Sequence, residues 1–487
     1  MIKISCTHNG GAVSCILLPL LLLKGLLIMI KINNDFFAVQ CDLNKYIIFN
    51  SDTHKIFVYN GQLDSFSAPS KANSEICKSD QVTELKCKDQ LIGLTLCVSE
   101  RCNLACKYCY ANGGAYDHSA IEQDMNAEDM KKVFHELLLV YPKGIMNYTF
   151  FGGEPMLAFS AIKEFSEYVA EKSEKLGLDK PHFSIVTNGT LITKEAWDFF
   201  NKMDFSVSIS LDGNKSENDT MRVFAHSDKS VYDVIARNLT SYGERSFFLV
   251  AEATLGVAFF KKYTSGKIRD YLKTFDDLGF DAVSPFVAES AECDLNDPEI
   301  VNGIKMFYSD LVDYSFEILL SDDRWSKTPT YILSAIINII KKKSKRTCTA
   351  GKESLFYTKK GKFYPCQMYY SGTDQSLGCI SDIEALKKTV SEKKRCYRSD
   401  IRECQECFAR NFCTLWCPGG SYLFCGDEMA VAPIRCLVQK AIGKRIIEQL
   451  VKVYNSDKNK IFVSNLRQLS QRYSWNRLIE DKGVNIK

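Results

Sequence analysis

The pattern of hydrophobic and polar positions divides the chain into regions with different periods. From about residue 91, short β-prone runs alternate with segments whose apolar residues recur at helical spacing. Asn126 is a candidate helix cap, because Met130, Val133 and Phe134 follow it at that spacing. Alternating strands and helices are typical of a parallel sheet built from βαβ units, so six of them predict an α/β barrel. The predicted strands span residues 91–97, 146–151, 182–187, 205–211, 247–255 and 280–286.

The segments on either side of this region follow other patterns. Residues 35–60 contain three β-leaning runs separated by turn residues, which predict a small separate module. Residues 61–90 are rich in Ser, Lys and Asp, and we interpret them as partly helical or as a linker. Beyond residue 327 cysteines dominate with few long periodic segments, which indicates a metal-organised domain. Residues 437–455 and 462–482 are predicted to be closing helices.

Residues 13–30 form an almost wholly apolar run that is about long enough to span a bilayer. Lys24 interrupts it, and no small-residue cleavage site of a signal peptide follows. Our first interpretation is that translation starts at Met29, so that residues 1–28 are not part of the protein. A membrane anchor and a buried helix are the alternatives.

Composition narrows the class of protein. The 487 residues are 46% hydrophobic and 25% charged, which is typical of a globular chain of two or three domains. A net charge of +3 gives no reason to expect nucleic acid or an acidic membrane as the main partner. The 20 cysteines, without a secretory signal, indicate thiolate ligands for metal in the reducing cytoplasm rather than disulfides.

Cys102, Cys106 and Cys109 follow the first predicted barrel strand directly, so their thiols lie on one loop at the face where barrel chemistry gathers. Three thiolates would leave one iron of a four-iron cluster free to bind another ligand. The alternatives are a zinc site or buried thiols. Structural zinc prefers four closed ligands, and buried thiols would not sit on a polar loop.

The spacing Cys-x3-Cys-x2-Cys, with Tyr108 before the last cysteine, resembles the radical S-adenosylmethionine (SAM) superfamily. Gly152, Gly153, Glu154 and Pro155 follow at the end of the second strand and resemble the loop that binds the methionine amino group in that superfamily. The resemblance implies a partial (β/α)6 TIM-type barrel, a [4Fe–4S] cluster on the three cysteines, and bound SAM. It also implies that Asn188, Ser208 or Ser210, and Arg222 contact the cofactor. A surface salt bridge is the alternative role for Arg222.

A second set of cysteines resembles the C-terminal SPASM extension, which binds two auxiliary [4Fe–4S] clusters. By position, Cys404, Cys407, Cys413 and Cys436 would hold one cluster, and Cys348, Cys366 and Cys417 the other. The region after Cys348 reads TAGKESLFY and lacks the further cysteine of fully ligated relatives. One iron would then be open to water, to a substrate thiolate, or to a distant residue such as Cys379, Cys396 or Cys425. Zinc remains the alternative for the whole set.

The combined resemblance implies a cytoplasmic maturase of ribosomally made peptides. We predict that it takes hydrogen from a cysteine-rich precursor peptide and installs thioether links, with a flavodoxin- or ferredoxin-type reductant as electron donor. The β-leaning runs near the N-terminus resemble the winged-helix module that binds a leader peptide by strand addition. The predicted domains are 1–28 (not translated), 29–90 (leader recognition and linker), 91–326 (barrel), 327–440 (SPASM) and 441–487 (helical tail).

Three alternatives to thioether formation stay open. Carbon–carbon crosslinking of a peptide is the nearest. Formylglycine formation, as in anaerobic sulfatase maturases, is weakened because those enzymes resemble this chain but carry an Asp where Gln367 stands. A structural or electron-transfer iron–sulfur or zinc protein would leave the Gly-Gly-Glu-Pro loop and the barrel units unexplained. Among single residues, Glu252 is a candidate for substrate contact or for a structural role.

Overall fold

The computed structural model describes most of the chain, and all structural statements below concern the described residues. These are residues 4–6, 29–42, 44–66, 89–116, 124–289, 292–321, 328–341, 348–371, 375–454 and 456–472. Most of the apolar run, the linker from 67 to 88 and the chain beyond 472 therefore lie outside them. None of the helices within these ranges is long and apolar enough to cross a bilayer.

The N-terminal part of the chain forms a five-stranded sheet in the order β1-β5-β4-β3-β2. Three central strands are antiparallel neighbours, in agreement with the three predicted β-leaning runs. No α-helix falls within residues 29–42 or 44–66, and the segment expected to supply the helices of a winged-helix module lies outside the described residues. The strands are β1 (Ile4–Cys6), β2 (Met29–Lys31), β3 (Phe36–Asp42), β4 (Lys45–Asn50) and β5 (Ile56–Asn60).

The large sheet has nine strands in the order β11-β10-β9-β8-β7-β6-β12-β13-β14. Strands β6 to β11 are mutually parallel, and each is followed by at least one helix, as a partial (β/α)6 barrel requires. All six predicted strands are confirmed to within two residues. They are β6 (Leu91–Ser99), β7 (Ile145–Gly152), β8 (His182–Thr187), β9 (Ser206–Ser210), β10 (Phe248–Leu255) and β11 (Ala282–Val287).

The helices of the barrel pack their apolar faces on the sheet. The predicted cap is confirmed, because Asn126 accepts a hydrogen bond from the backbone N–H of Asp129, whose carboxylate caps Asn126 in return. The barrel helices are α1 (Ala127–Val140), α2 (Phe159–Lys175), α3 (Lys194–Met203), α4 (Lys215–Met221), α5 (Val231–Ser241), α6 (Val257–Lys262), α7 (Ile268–Asp277) and α8 (Pro298–Leu320).

The cysteine-rich part of the chain continues the barrel sheet instead of forming a detached unit. Strand β12 pairs in parallel with β6, and β13 and β14 follow antiparallel. These strands are β12 (Ser354–Thr358), β13 (Lys362–Tyr364) and β14 (Gly378–Cys379). The remaining helices are α9 (Thr330–Lys341), α10 (Ile383–Glu392), α11 (Arg402–Gln405), α12 (Pro418–Cys425), α13 (Pro433–Tyr454) and α14 (Asn459–Arg472).

The N-terminal sheet is attached to the cysteine-rich region by charged and aromatic contacts. Arg410 reaches the carboxylates of Asp35 at 3.0 Å and Asp52 at 2.5 Å. The Phe49 ring meets the edge of Phe412 with the ring centroids 5.8 Å apart. The small sheet and the cysteine-rich region are therefore held together by a packed interface.

Candidate active site

The loop after β6 presents its three cysteines at the carboxyl end of the barrel strands. The loop is fixed by backbone hydrogen bonds from Ala105 to Val223 O (2.8 Å) and from Lys107 to Met221 O (2.9 Å). The pKa of Cys102 is raised to about 12, mainly by burial and in smaller part by Glu154 and the neighbouring thiols Cys106 and Cys109. Three thiols therefore share one small region, and a bound metal would be needed to hold them as thiolates.

The Gly-Gly-Glu-Pro loop passes directly beneath the cysteine loop. A Cβ on Gly152, whose φ is +146°, would lie 2.1 Å from the Ser99 carbonyl oxygen, and one on Gly153 would lie 2.3 Å from Arg101 O. Backbone hydrogen bonds from Gly153 to Ser99 and from Glu154 to Arg101, both 2.8 Å, hold the two loops together. The two glycines thus let the Gly-Gly-Glu-Pro loop and the chain before the cysteine loop come into backbone contact.

Glu154 joins the ends of two neighbouring strands. Its buried carboxylate accepts hydrogen bonds from the Thr187 hydroxyl (2.6 Å), the Asn188 backbone (2.7 Å) and the Met156 backbone (2.9 Å). Burial raises its pKa to about 7, against the effect of these three donors. Glu154 therefore fixes the positions of the β7 and β8 ends.

Asn188 extends the same network to the cysteine loop. Its side-chain amide donates to Asn103 Oδ1 at 2.8 Å and lies 3.8 Å from the Cys102 sulfur. Its oxygen accepts from the Thr190 hydroxyl at 2.6 Å. The structure places Asn188 on the wall of the cavity described below, beside the cysteine loop.

Arg222 forms a buried ion pair. Its guanidinium donates to Asp212 Oδ1 at 2.9 Å, and the two side chains are 7% and 2% exposed. Asp212 also accepts from the Tyr108 hydroxyl at 2.5 Å and from the Thr254 backbone at 2.8 Å. Burial opposes the charge on Arg222, but Asp212 raises its pKa above the usual value. The surface salt bridge considered for Arg222 is therefore wrong, because helix α4 returns the arginine to the end of β9.

Ser208 and Ser210 have different positions. Ser210 lies on the cavity wall, whereas Ser208 is buried and hydrogen-bonds to the Glu252 carboxylate on the neighbouring strand. Glu252 lines the cavity next to Arg222, and burial raises its pKa. Ser210 is thus the serine of the predicted pair that faces the cavity.

A cavity of about 800 Å³, called the central cavity below, connects the two cysteine-bearing regions. Its barrel side carries the three loop cysteines with Tyr108 and Arg222. Arg222 Nε is buried there and has no hydrogen-bond partner among the described residues. The thiols and this free donor suit an iron–sulfur cluster together with an anionic ligand group such as the carboxylate of SAM. The opposite wall of the cavity includes Cys348, Cys413 and Cys417.

The sequence comparison decides the superfamily. Residues 96–250, which contain the cysteine loop and strands β7 to β9, match the Radical SAM superfamily. This chain is a radical SAM enzyme. A [4Fe–4S] cluster and SAM are the cofactors that the superfamily implies, and the residues on the barrel side of the central cavity fit them.

Relatives and solved structures extend the similarity beyond the barrel. The radical SAM cyclopropyl synthase TigE of Paramaledivibacter caminithermalis is 24% identical over 453 residues, 89% of each chain. A cysteine-type anaerobic sulfatase-maturating enzyme of Clostridium novyi is 31% identical over 29% of this chain and 37% of its own length. The structure of native anSMEcpe with bound AdoMet superposes with a TM-score of 0.59 at 20% identity, covering 75% of this chain and 99% of that one. The radical SAM fold therefore extends into the cysteine-rich region.

The C-terminal cysteines of this radical SAM enzyme lie in two groups. Cys404, Cys407, Cys413 and Cys436 all line a second cavity of about 200 Å³, called the small cavity below. Burial raises the pKa of Cys404 to about 11 and that of Cys436 to about 12, and other thiols of the group add to both shifts. The small cavity thus contains the four residues predicted to hold one auxiliary cluster.

The second C-terminal group surrounds Cys366. The pKa of Cys366 is raised to about 12, mainly by burial and in smaller part by Cys417 and Cys348, so the three thiols are neighbours. A Cβ on Gly419 would lie 3.0 Å from the Cys366 sulfur, so this glycine leaves room for the thiol. Within the described residues, no three His, Cys, Asp or Glu side chains converge on a single-ion position.

The three cysteines considered as a distant fourth ligand lie at different places. The Cys396 thiol donates to Glu428 Oε2 at 2.8 Å, and the adjacent Arg395 donates to the Cys348 carbonyl at 3.4 Å. Cys379 lies 3.0 Å from the Ser381 hydroxyl, and Cys425 is exposed at the end of α12. Of these three cysteines, Cys396 is therefore the one whose neighbour in the chain, Arg395, contacts the Cys348 backbone directly.

Sequence reasoning missed several residues that shape the site. Asp212 and Glu289 both lie just beyond the carboxyl end of a barrel strand, at β9 and β11. That position alone is a signal of functional residues in barrels, and it could have singled them out. Arg435 carries no such signal apart from preceding Cys436 directly.

Proposed function

We propose that this radical SAM enzyme is a maturase of a ribosomally made, cysteine-rich precursor peptide, and that it forms thioether links from cysteine sulfur to carbon. One observation carries the proposal: a single cavity of about 800 Å³ is lined by the loop cysteines on one side and by Cys348 and Cys417 on the other. A substrate in that space would touch the site where SAM is cleaved and a second thiol-rich site at once. A peptide segment fits a cavity of this size.

The proposal assigns the cofactors as follows. Cys102, Cys106 and Cys109 would hold the cluster that works with SAM, beside Tyr108, Gly152, Gly153, Glu154, Asn188, Ser208, Ser210 and Arg222. Bound SAM would supply the radical chemistry that removes hydrogen from the substrate. Two auxiliary [4Fe–4S] clusters would use the two C-terminal cysteine groups. The group of Cys348, Cys366 and Cys417 would leave an iron available for a substrate thiolate.

Relatives support a peptide substrate. The structure of anSMEcpe with bound AdoMet and the Cp18Cys peptide, a cysteine-bearing ligand by its name, superposes with a TM-score of 0.58. In the proposed enzyme a leader peptide would add a strand at β2, an edge strand of the small N-terminal sheet as the described residues form it. A flavodoxin- or ferredoxin-type protein would supply the electrons.

Carbon–carbon bond formation is the second candidate. Its support is the similarity to the cyclopropyl synthase TigE over 89% of both chains. Formylglycine formation has less support, since Gln367, an amide, lines the central cavity where the maturases are expected to carry a base. The superfamily match removes the alternative of a non-enzymatic protein.

The test is co-expression with a cysteine-rich peptide encoded beside the gene, followed by mass spectrometry before and after thiol alkylation. Thioether formation removes two hydrogen atoms per link and one alkylatable thiol. A carbon–carbon link removes the hydrogens but keeps every thiol, and formylglycine formation replaces a thiol sulfur by oxygen. An unchanged peptide, in the presence of adenosyl product from SAM, would refute the proposal.

A further inference from the structure

Thioether formation requires a group that accepts the proton of the substrate thiol. A carboxylate is the commonest acceptor next to histidine, and no histidine lines the central cavity among the described residues. The lining carries two carboxylates, Glu252 and Glu289. Glu252 and Glu289 are therefore the two candidate proton acceptors in this lining.

Glu252 lies on the cofactor side of the cavity. Its carboxylate hydrogen-bonds to Ser208 and faces the positive charge of Arg222. These contacts belong to the network of Asp212 and Tyr108 beside the cysteine loop. A proton delivered to Glu252 would disturb the charge balance where SAM is expected to bind.

Glu289 lies on the opposite side, two residues beyond the end of β11. The segment is fixed by the hydrogen bond from the Ala288 backbone to Leu255 O at 2.9 Å. The Glu289 side chain is 10% exposed, and its Oε1 accepts a hydrogen bond from Arg435 Nε. Its other oxygen makes no hydrogen bond with the described residues, so the carboxylate keeps acceptor capacity toward the cavity.

Arg435 is itself fixed between Glu289 and the Cys417 thiol. A Cβ on Gly420 would lie 2.7 Å from the guanidinium carbon of Arg435, so a side chain there would displace the guanidinium from its present position. Cys417 raises the pKa of Arg435, which shows that the thiol is close to the guanidinium. The ion pair thus holds the Glu289 carboxylate next to the cysteine group that faces the substrate space.

We propose that Glu289 is the general base that takes the proton from the substrate cysteine. The S–H bond breaks, the proton moves to a Glu289 oxygen, and the electron pair stays on sulfur, so this step needs no oxidant. Arg435 is a positioning residue that orients the carboxylate. The inference rests on the proposed thioether function.

The charged and titratable groups around Glu289 fit this role. They are Arg435 and the thiols of Cys293 and Cys425. Burial raises the pKa of Glu289 and Arg435 opposes that shift, with a net rise. A carboxylate with a raised pKa is a stronger base at neutral pH than an exposed one.

The test compares the wild-type enzyme with Glu289→Gln and Glu289→Asp, each with its iron and sulfide complement and the cysteine-rich peptide encoded beside the gene. Glu317→Gln is the matched control, because Glu317 also pairs with an arginine, Arg269, but is 57% exposed and outside the cavity. The readouts are the crosslinking rate from pH 5 to 9, adenosyl product formation, peptide affinity and the midpoint of thermal unfolding. We expect a loss of about 100-fold or more in crosslinking for Glu289→Gln. Adenosyl product, affinity and the unfolding midpoint should stay near wild type.

The acid limb of the wild-type profile should disappear in Glu289→Gln, and Glu289→Asp should recover part of the rate. Glu317→Gln should behave as wild type. Crosslinking by Glu289→Gln within threefold of wild type, or a loss matched by equal losses of affinity or stability, would overturn the inference and leave the proposed function standing. No crosslinked peptide from the wild-type enzyme would instead refute the proposed function.

Discussion

Replacing Asp212 by Asn tests whether the buried pair with Arg222 holds the cofactor side of the site together. Asn has the same shape, and its oxygen can still accept from Arg222 and from the Thr254 backbone. The substitution therefore removes mainly the charge. Arg222 is left as a buried cation without its principal partner, because its side chain is 7% exposed and that of Asp212 is 2% exposed.

Two estimates give the size of the effect. Unit charges about 4 Å apart interact by about 4 kcal/mol at an effective dielectric constant of about 20. Loss of one partner from a buried ion pair costs about 3–5 kcal/mol in other proteins. Glu252 also faces Arg222 and compensates in part, so we expect Asp212→Asn to lower the free energy of unfolding by about 3 kcal/mol.

The assay is urea denaturation under anaerobic conditions, together with calorimetric titration of SAM. Glu317→Gln serves again as control, because the exposed pair with Arg269 should contribute less than about 1 kcal/mol. SAM affinity should also fall in Asp212→Asn, since Tyr108 and Arg222 lose the negative charge of the carboxylate that joins them. A stability loss no larger than that of the control would refute the view that this pair organises the site.

Three further predictions follow from the site. Gly152→Ala places a methyl group 2.1 Å from the Ser99 carbonyl oxygen at a φ of +146°, so it should lower the free energy of unfolding by several kcal/mol or prevent folding. Gly177→Ala is the control: no atom lies within 4 Å of the added methyl group, and the loss should be about 1 kcal/mol. Thermal or urea unfolding measures both. The pKa of Glu154 rises from 4.5 to about 7 on folding, so the folded state binds the extra proton between these values. The free energy of unfolding should therefore fall by about 3 kcal/mol as pH rises from 4.5 to 7, and Glu154→Gln should lack that slope in urea titrations at several pH values. Cys436→Ala should lose about four iron atoms per chain by metal analysis, while Cys293→Ala, outside all three cysteine groups, should keep the wild-type content.

The local pattern of apolar and polar residues was enough to predict the barrel, because the spacing of apolar residues within each segment distinguishes a strand from a helix. Strand bounds such as His182–Thr187 and the cap at Asn126 depend on neighbouring residues only. The expected grouping of the C-terminal cysteines came instead from the resemblance to the SPASM extension, carried over by position.

Contacts between distant segments could not be predicted in this way. The pairing of Arg222 with Asp212 depends on how α4 turns back, and the parallel pairing of β12 with β6 joins residues more than 250 positions apart. The glycines at 152 and 153 were correctly placed at a strand end, yet their close neighbour is the cysteine loop. Contacts of this kind depend on tertiary packing, which cannot be deduced from the local pattern of a single sequence.

The central cavity and the small cavity share one wall, and the charged residues in that wall bear on both predicted auxiliary cluster sites. Five residues line both the central and the small cavity, namely Arg398, Cys413, Trp416, Cys417 and Arg435. Cys413 and Cys417 are predicted ligands of different clusters, so four positions of chain separate the two iron sites. Clusters held by thiolates carry negative charge, and two arginines in the dividing wall would offset it. If the two cysteine groups hold clusters as proposed, Arg398 and Arg435 in the shared wall would therefore stabilise the negative charge of both.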